Sequence, residues 1–220
     1  MDRKVVIIGA GDHGRGALEI LREASRRGPR VDVIGFLDDA PQKHGASIAD
    51  VPVLGGIDWI RSSREPDVHY VIAVADTRAK AQIARRLDQQ ALTFVAAIHP
   101  SVILAGGVRV EPGTILNAGV VVAYDTLICA HSTVNLNATV GHDCILGRFS
   151  TVAPGANIAG HVQLGEGCDV GMNATVAAGL TIGEWSSIAL GSVVMRDIAA
   201  GQRVFGNPAR LIPTGSLAHT

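Results

Sequence analysis

The fold is decided by residues 134–158, which read VNLNATVGHDCILGRFSTVAPGANI. Val134, Val140 and Leu146 open a series in which every sixth residue is aliphatic, and the register continues in both directions without an insertion. Seventeen consecutive positions of this register are Ile, Leu or Val, although only about half of the residues in an average protein are apolar. They are Ile98, Leu104, Val110, Leu116, Val122, Ile128, Val134, Val140, Leu146, Val152, Ile158, Leu164, Val170, Val176, Ile182, Ile188 and Val194. Such a period indicates the hexapeptide repeat of a parallel β-helix.

The six-residue period fits neither a two-faced strand nor an amphipathic helix. It fits a three-sided prism in which each hexapeptide supplies a short strand and a corner, with the aliphatic residue pointing to the axis. Small residues fill the fourth place after each aliphatic one, as Ala138, Cys144 and Ser150 do. Glycines such as Gly113 and Gly155 fall three places after it, where a corner needs unusual backbone angles. Three hexapeptides make one 18-residue coil, so we expect roughly five coils stacked at about 4.8 Å.

The first 95 residues lack this period and alternate apolar strand patterns with helical ones. Strands are predicted at Lys4–Ile8, Val31–Leu37 and Val68–Ala75, and a helix at Thr77–Gln90. Alternating strands and helices favour a small Rossmann-like α/β unit with a parallel sheet. The predicted organisation is an α/β domain over residues 1–95, the repeat domain over 96–204 and a loop-like tail over 205–220.

A glycine-rich turn follows the first predicted strand. Gly9, Gly11 and Gly14 form a G-x-G-x-x-G pattern between a strand and a helix, the context in which this motif binds a nucleotide phosphate. Asp38 lies about as far downstream as the acidic residue that binds a ribose. The unit has only four or five predicted strands, which favours a mononucleotide over a dinucleotide. A tight strand-to-helix turn without a ligand stays open.

Composition limits the remaining classes. Net charge is −1 and hydrophobic residues make up 47%, which fits a soluble protein and gives no sign of a nucleic-acid-binding surface. No apolar run approaches the roughly 20 residues that span a bilayer. Cys129, Cys144 and Cys168 fall at small-residue places of the repeat, so we expect core thiols in a reducing compartment, the cytoplasm.

From Val5 to about Ile212 the chain resembles a family of sugar acyltransferases. These include the sialic acid O-acetyltransferases and the bacterial N-acetyltransferases that act on nucleotide-linked 4-amino sugars. The resemblance rests on IGAGDHG at residues 8–14, GFLDD at 35–39, IHPS at 98–101, VGHDC at 140–144 and GNPAR at 206–210. It implies a left-handed β-helix, acetyl-CoA as co-substrate and a homotrimer with sites between neighbouring prisms. We expect no metal, because acyl transfer by a base needs none.

His142 and Asp143 are the predicted catalytic residues. His142 comes two places after Val140, so it lies at a corner and faces outward. A neutral imidazole there can remove the proton that an attacking amine must lose, which contributes about 10²–10⁴-fold to the rate. Asp143 would hold the ring's tautomer and stabilise its charged form. A surface histidine without a role is the competing interpretation.

Further site residues follow from the repeat and from the resemblance. Gly160 lies one coil beyond His142, so its N–H is expected to stabilise the thioester oxyanion. The resemblance implies that Asn135 lies near the sugar, and it places Thr151 where many relatives have a second histidine. Cationic side chains near the end of the prism are expected to bind the CoA phosphates. These are Arg196, Arg203 and Arg210.

The nucleotide end of the substrate is assigned to the α/β domain. Residues 11–14 form the predicted phosphate turn, which consists of Gly11, Asp12, His13 and Gly14. Asp38 and Asp39 are expected to meet the base or ribose, and Asp76 and Arg78 lie at the end of a neighbouring strand. The histidines show no metal-ligand spacing in the sequence.

The predicted function is acetyl-CoA-dependent N-acetylation of a nucleotide-activated 4-amino sugar by direct attack. The nearest alternative is a sialic acid O-acetyltransferase. A nicotinamide-dependent oxidoreductase with a structural prism would bind NAD and no CoA. A non-catalytic nucleotide-binding trimer scaffold would be unaffected by His142→Ala.

Overall fold

The computed structural model describes residues 3–63 and 67–212. An α/β domain comes first, and a three-sided left-handed parallel β-helix follows it, as the sequence predicts. None of the helices in these residues is long and apolar enough to cross a membrane. Residues 213–220, the last part of the predicted tail, lie outside the described residues.

The α/β domain contains a six-stranded sheet in the order β3-β4-β2-β1-β5-β6. All neighbouring strands are parallel except the short β3, which runs antiparallel to β4. The elements are β1 (Arg3–Ile8), α1 (Asp12–Arg27), β2 (Val31–Leu37), β3 (Ser47–Ile48), β4 (Val51–Gly55), α2 (Trp59–Ser62), β5 (Val68–Ile72), α3 (Thr77–Leu87) and β6 (Thr93–Phe94). The helix predicted to reach Gln90 ends at Leu87 and continues as one 3₁₀ turn over Asp88–Gln90.

Helices cover both faces of this sheet because the side chains of β1 alternate in direction. Val5 and Ile7 pack in one buried cluster with residues of α1, such as Leu18. Val6 and Ile8 pack in a second cluster with residues of α3. The continuous apolar sequence of β1 is therefore that of a parallel strand buried on both faces.

The prism is built from three parallel sheets, one for each face, and strands 18 residues apart pair within each sheet. The first face contains Ala97–Ile98, Ile115–Leu116, Thr133–Val134, Thr151–Val152, Asp169–Val170, Ser187–Ile188 and Arg203–Phe205. The second face contains Ile103–Leu104, Val121–Val122, Thr139–Val140, Asn157–Ile158, Thr175–Val176 and Val193–Val194. The third face contains Arg109–Val110, Leu127–Ile128, Ile145–Leu146, Gln163–Leu164 and Thr181–Ile182.

The aliphatic register forms the core, as predicted. From Leu116 to Val194 its members are almost fully buried, and the small residues at the fourth place, such as Ala138 and Cys168, are buried beside them. Leu104 is 39% exposed because it belongs to the first coil, which has a neighbour on one side only. Each coil thus buries its aliphatic residues against the coils that adjoin it.

A left-handed backbone conformation recurs at one place in the corners from Gly107 to Gly191. The residue three after each aliphatic position there has positive φ, and in each column these residues are 18 apart, as in Gly107, Asp125, Asp143 and His161. Glycine in one coil makes room for a side chain in the next, because a Cβ on Gly107 would lie 2.1 Å from an Asp125 oxygen. The unusual backbone angles predicted for these corners are confirmed, although Asp, Asn and other side chains share the position with glycine.

Two expectations about the prism are wrong in detail. Arg210–Leu211 pairs antiparallel with Arg203–Phe205 and extends the first face, so residues 210–211 are not loop. Cys129 is only half-buried, whereas Cys144 and Cys168 are buried. The difference arises because Cys129 directly follows the aliphatic Ile128, where the chain enters a corner, while the other two occupy the small fourth place.

The α/β domain packs against the corner that joins the third face to the first. We call this the docking corner and define it by His131, Phe149 and Trp185, which occupy the same corner position one coil apart and then two coils apart. Phe94 of β6 meets the His131 ring edge-on at 4.7 Å. His131 stacks on Phe149, with ring centroids 5.4 Å apart. Aromatic side chains thus fill this domain boundary.

Candidate active site

The predicted base lies on the corner that joins the second face to the third, which we call the His142 corner. Tyr124, His142 and Gly160 occupy equivalent positions of successive coils. The rings of Tyr124 and His142 are stacked, with centroids 4.9 Å apart. On the other side, a Cβ on Gly160 would lie only 2.7 Å from Nε2 of His142. The imidazole therefore lies between an aromatic ring and a glycine that leaves room for it.

Asp143 accepts a hydrogen bond from this imidazole in its Nδ1-protonated form. Nδ1 of His142 lies 2.7 Å from Oδ2 of Asp143, and the two side chains are 38% and 41% exposed. Asp143 has φ 54°, a conformation in which Asp is favoured over bulkier residues. With Nδ1 bonded to the carboxylate, Nε2 faces Gly160 and is free to accept a proton. The hydrogen bond thus joins the two residues that the sequence predicts as catalytic.

Gly160, the predicted oxyanion donor, lies beside Nε2 of His142. Its N–H has no hydrogen-bond acceptor within the described parts of the chain. The following residue, His161, anchors the loop by donating its backbone N–H to the His142 carbonyl at 2.8 Å. A fixed, unused N–H next to a base is the arrangement that stabilises a developing oxyanion.

Two residues of this corner were missed by the sequence reasoning. Tyr124 stacks on His142 from one coil before it. His161, one coil after Asp143, meets the His142 ring edge-on at 4.8 Å, and its Nδ1 lies 3.9 Å from Oδ2 of Asp143. The 18-residue coil length contained both signals, since it relates Tyr124 to His142 and Asp143 to His161.

Asn135 and Thr151 are not brought to the His142 corner of the same chain. Asn135 follows the first-face strand Thr133–Val134 and lies on the corner that joins the first face to the second, which we call the third corner. There its Oδ1 accepts from the Leu136 N–H. Thr151 is buried in the first face, and its hydroxyl has no hydrogen-bond partner among the described residues. Within one chain, Thr151 therefore does not line the space around His142.

The three arginines separate into two groups. Arg196 and Arg210 line a cavity of about 660 Å³ at the end of the prism, together with apolar residues such as Pro208. Arg203 is exposed on the first face and is not among the residues that line this cavity. Arg196 lies three coils, or 54 residues, beyond His142 on the same corner.

In the glycine turn of the α/β domain, two glycines leave no room for a side chain and the third has space around it. A Cβ on Gly9 would lie 2.6 Å from the Ala73 carbonyl, and one on Gly14 would lie 2.0 Å from the Gly9 carbonyl. Gly11 has nothing within 4 Å of a Cβ, and it precedes α1 without a side-chain cap. The start of α1 thus has open space beside Gly11 and no side-chain cap, and a helix N-terminus of this kind can bind a phosphate. Burial, followed by the charge of Lys80, lowers the pKa of the adjacent His13.

Asp38 and Asp39 sit at the carboxyl end of β2. Oδ2 of Asp38 accepts from the Ala10 N–H at 3.0 Å and from Lys43 at 2.8 Å, so this residue holds the glycine turn. Burial alone would raise the pKa of Asp38, but the Lys43 ammonium and two backbone N–H groups lower it overall. Asp39 accepts from the Ile57 N–H and from Arg86 and remains more exposed.

These aspartates line one side of a cavity of about 130 Å³ at the carboxyl ends of β1 and β2. Gly9, Ile57 and Val74 line its other sides. The strand order reverses at β1, and this is the place where parallel α/β sheets bind their ligands. Asp76 and Arg78 are farther along the same edge, where Asp76 caps α3 and Arg78 lies 5.0 Å from the Trp185 ring.

Lys80 of α3 is buried between the two domains. Its ammonium donates to the Thr133 hydroxyl at 2.9 Å. Burial lowers the pKa of Lys80 to about 8, although the Asp169 carboxylate opposes the shift. Burial also raises the pKa of Asp169. This polar group thus joins the α/β domain to the first face of the prism.

Comparisons with known proteins agree with this architecture. The family model described as the PglD N-terminal domain matches residues 4–87. UDP-N-acetylbacillosamine N-acetyltransferase from Bacillus subtilis (strain 168) is 30% identical over 125 residues. That alignment covers 53% of this chain, and the chain spans about half, 52%, of the length of this curated relative.

Solved structures match almost the whole chain. The acetyltransferase domain of PglB from Neisseria gonorrhoeae FA1090, in complex with acetyl coenzyme A, has a TM-score of 0.88 and 29% identity. That match covers 96% of this chain and 100% of the domain. PerB from Caulobacter crescentus, in complex with CoA and GDP-perosamine, has a TM-score of 0.87 and 31% identity, and the match covers 95% of this chain and 97% of PerB.

Proposed function

The chain belongs to the hexapeptide-repeat sugar N-acetyltransferase family, and we propose that it transfers an acetyl group from acetyl-CoA to the amino group of a nucleotide-linked 4-amino sugar. The observation that carries this proposal is the His142–Asp143 pair on an open corner, with the unused N–H of Gly160 beside it. PerB, which matches this chain over nearly its whole length, was solved in complex with CoA and GDP-perosamine. This supports a nucleotide-linked amino sugar as the substrate class.

The reaction is a direct attack of the sugar amine on the thioester. As the C–N bond forms, Nε2 of His142 takes a proton from the amine, and Asp143 stabilises the resulting imidazolium. The carbonyl oxygen becomes an oxyanion that accepts from the Gly160 N–H. Collapse of this intermediate breaks the C–S bond, and the CoA thiolate leaves with the proton returned from His142.

Cys144 is a poor candidate for an acyl-enzyme nucleophile despite its place beside this pair. Its side chain is buried and donates to the Ala159 carbonyl at 3.1 Å. Burial also raises the pKa of its thiol, which disfavours the reactive thiolate. Direct transfer, without a covalent intermediate, is therefore the mechanism we propose.

The His142 corner also offers a path for CoA. Gly160 and Ala178 follow His142 at successive coils, and Arg196 comes next. At about 4.8 Å for each coil, Arg196 lies roughly 14 Å beyond the base along the prism. We propose that the thin pantetheine arm passes the two small residues, and that Arg196 and Arg210 bind the phosphates.

A homotrimer would bring the nucleotide to the base. In one chain the α/β domain covers the docking corner, whereas His142 lies on a different corner. The third corner carries exposed apolar side chains one or two coils apart, Leu136, Met172 and Leu190, which suit an interface between prisms. We propose that the α/β domain of one copy presents the sugar to His142 of its neighbour, and that the assembly is cytoplasmic, where free thiols persist.

The test is release of free CoA thiol from acetyl-CoA with UDP-, dTDP- and GDP-linked 4-amino sugars offered in turn. We expect release with one donor and a loss of about 10²–10⁴-fold in His142→Ala. Light scattering checks that the variant keeps its assembly. Substantial turnover in His142→Ala refutes the assigned base, and silence of the wild type with every donor refutes the assigned acceptor class.

A further inference from the structure

We propose that His142, Asp143 and His161 form a binding site for a late first-row divalent metal ion, above all Zn²⁺, and that the bound ion switches off the catalytic base. The site follows from the side-chain geometry alone. The consequence for activity rests on the proposed acetyl transfer.

The three side chains converge at the surface of the His142 corner. One ligand atom from each lies within 4.8 Å of the other two. Oδ2 of Asp143 is 2.7 Å from Nδ1 of His142 and 3.9 Å from Nδ1 of His161. The side chains are between 38% and 63% exposed, so an ion can reach them. Small side-chain rotations can bring the three ligand atoms to coordination distance from one ion.

The prism holds the ligands in place from two successive coils. Asp143 and His161 occupy the same corner position one coil apart, with φ 54° and 59°. The N–H of His161 donates to the His142 carbonyl, which ties the two turns together. Because the β-helix fixes the backbone of all three ligands, little order has to be gained when an ion binds.

The donor set selects the class of metal. Two imidazole nitrogens and one carboxylate oxygen suit Zn²⁺, Co²⁺, Ni²⁺ and Cu²⁺, whereas Mg²⁺ and Ca²⁺ prefer oxygen ligands. Three protein ligands with a fourth position open to water are a common arrangement for Zn²⁺. The ligands do not have the sequence spacing of a known zinc motif. His161 comes from the coil that follows His142 and Asp143, so stacking of the coils brings the three side chains together.

The bound ion would disable His142 through its tautomer. A metal at Nδ1 needs the lone pair of that nitrogen, so the single proton of the neutral ring moves to Nε2. Nε2–H cannot accept a proton from the amine, and no net proton is released. Asp143 exchanges its hydrogen bond to Nδ1 for a bond to the ion. The same carboxylate that orients the base thus helps to hold the inhibitor.

The site itself is tested by titrating the untagged, metal-free protein with Co²⁺, whose visible absorption reports coordination by nitrogen and oxygen. A Cys129→Ser background removes the half-buried thiol as a competing ligand. We expect one Co²⁺ per chain. Loss of a residue that only supports a metal ligand weakens binding about 10–100-fold, and His161→Asn, which removes a ligand itself, should weaken Co²⁺ binding by at least as much. Asn is chosen because it tolerates the positive φ of position 161.

His99→Gln is the matched control, since His99 is a half-buried prism histidine whose side chain bonds only to Ser101 among the described residues. Its titration should match that of the background protein. Unchanged Co²⁺ binding in His161→Asn, or the absence of binding in the background protein, overturns the site.

Inhibition is measured as acetylated sugar by mass spectrometry, because the thiol of released CoA would itself bind Zn²⁺. Zn²⁺ should inhibit the background enzyme, EDTA should restore it, and His161→Asn should need about 10-fold more Zn²⁺ or higher for the same fractional inhibition. Equal sensitivity of the two proteins overturns the switch. If no donor is acetylated at all, the proposed function fails, and the Co²⁺ titration still decides the metal site.

Discussion

His131 and His142 lie on two corners of the same prism and differ in almost every property. His131 is 6% exposed, and aromatic side chains surround it. Burial lowers its pKa to about 4, so it is neutral at physiological pH. His142 is open to solvent, and its Nδ1 is bonded to a carboxylate. A corner histidine of this prism is therefore accessible only where the α/β domain does not cover it, and at His142 the next residue also bonds to the ring.

The largest loss of turnover should come from a side chain that crowds His142 on its corner. Gly160→Ala would place a Cβ 2.7 Å from Nε2 of His142 and push the ring away from its position. We expect a loss of turnover on the order of 10²-fold, near the lower bound for a general base, with unchanged thermal stability. Gly106→Ala is the matched control, because Gly106 lies on the same column and a Cβ there meets nothing within 4 Å. Equal activity of the two variants would contradict the placement of the ring.

Removing the charge of Asp143 should have a smaller effect. Asp143→Asn keeps the positive φ but weakens the hydrogen bond that orients His142. A hydrogen bond to a charged group contributes about 1.5–3 kcal/mol, so we expect kcat to fall roughly tenfold to a hundredfold. Asp125→Asn, one coil before at φ 54°, is the control and should retain activity. A wild-type rate in Asp143→Asn would mean that the ring is oriented by its packing on Tyr124 alone.

The repeat predicted most of the open corner but little of the covered one. The 18-residue coil was enough to place Gly160 beside His142, and it would also have found His161 had it been applied to Asp143. The way in which the α/β domain docks on the prism depends on contacts between segments far apart in sequence, such as the bond from Lys80 to Thr133 of the first face. Neither residue carries a local pattern that indicates its partner, so the sequence could not predict which corner the α/β domain covers.

Contacts between distant segments also decide the surroundings of Thr151 and Asp38, which the sequence does not predict. Thr151 was assigned by resemblance to the active site, yet in one chain it is buried in the first face of the prism. Asp38 is predicted beside the base or ribose, which stays a prediction, and its carboxylate bonds to the glycine turn and to Lys43. Motif spacing predicts which residues approach a site, whereas the hydrogen-bond partners depend on the packed structure.

The covered corner should lose stability in acid. Because the folded pKa of His131 is about 4 and its ordinary value is 6.5, the unfolded chain binds the proton first as the pH falls. His131 should therefore lower the free energy of unfolding progressively between about pH 6.5 and 4, by on the order of 3 kcal/mol. Arg148 and Lys80 add to the shift, and Asp88 opposes it.

Chemical denaturation across this pH range tests the point, with His131→Phe as the comparison. Phe suits the aromatic surroundings, and Phe149 and Trp185 already adopt the same positive φ on this corner. As the pH falls from about 6.5 to 4, the free energy of unfolding of the wild type should decrease relative to that of His131→Phe. A constant difference would show that His131 does not titrate with unfolding.

The smallest effect should come from the exposed edge of the docking corner. Arg85 of α3 and Glu166 of the prism form an ion pair at 3.6 Å, and their side chains are 66% and 34% exposed. Water and salt screen such a pair, so Arg85→Ala should change the free energy of unfolding by less than about 1 kcal/mol. Denaturant unfolding at low and high salt would measure this. If the loss were larger and disappeared in salt, the α/β domain would be held by its surface charges, and the buried contacts of His131, Phe149 and Lys80 would no longer account for the docking.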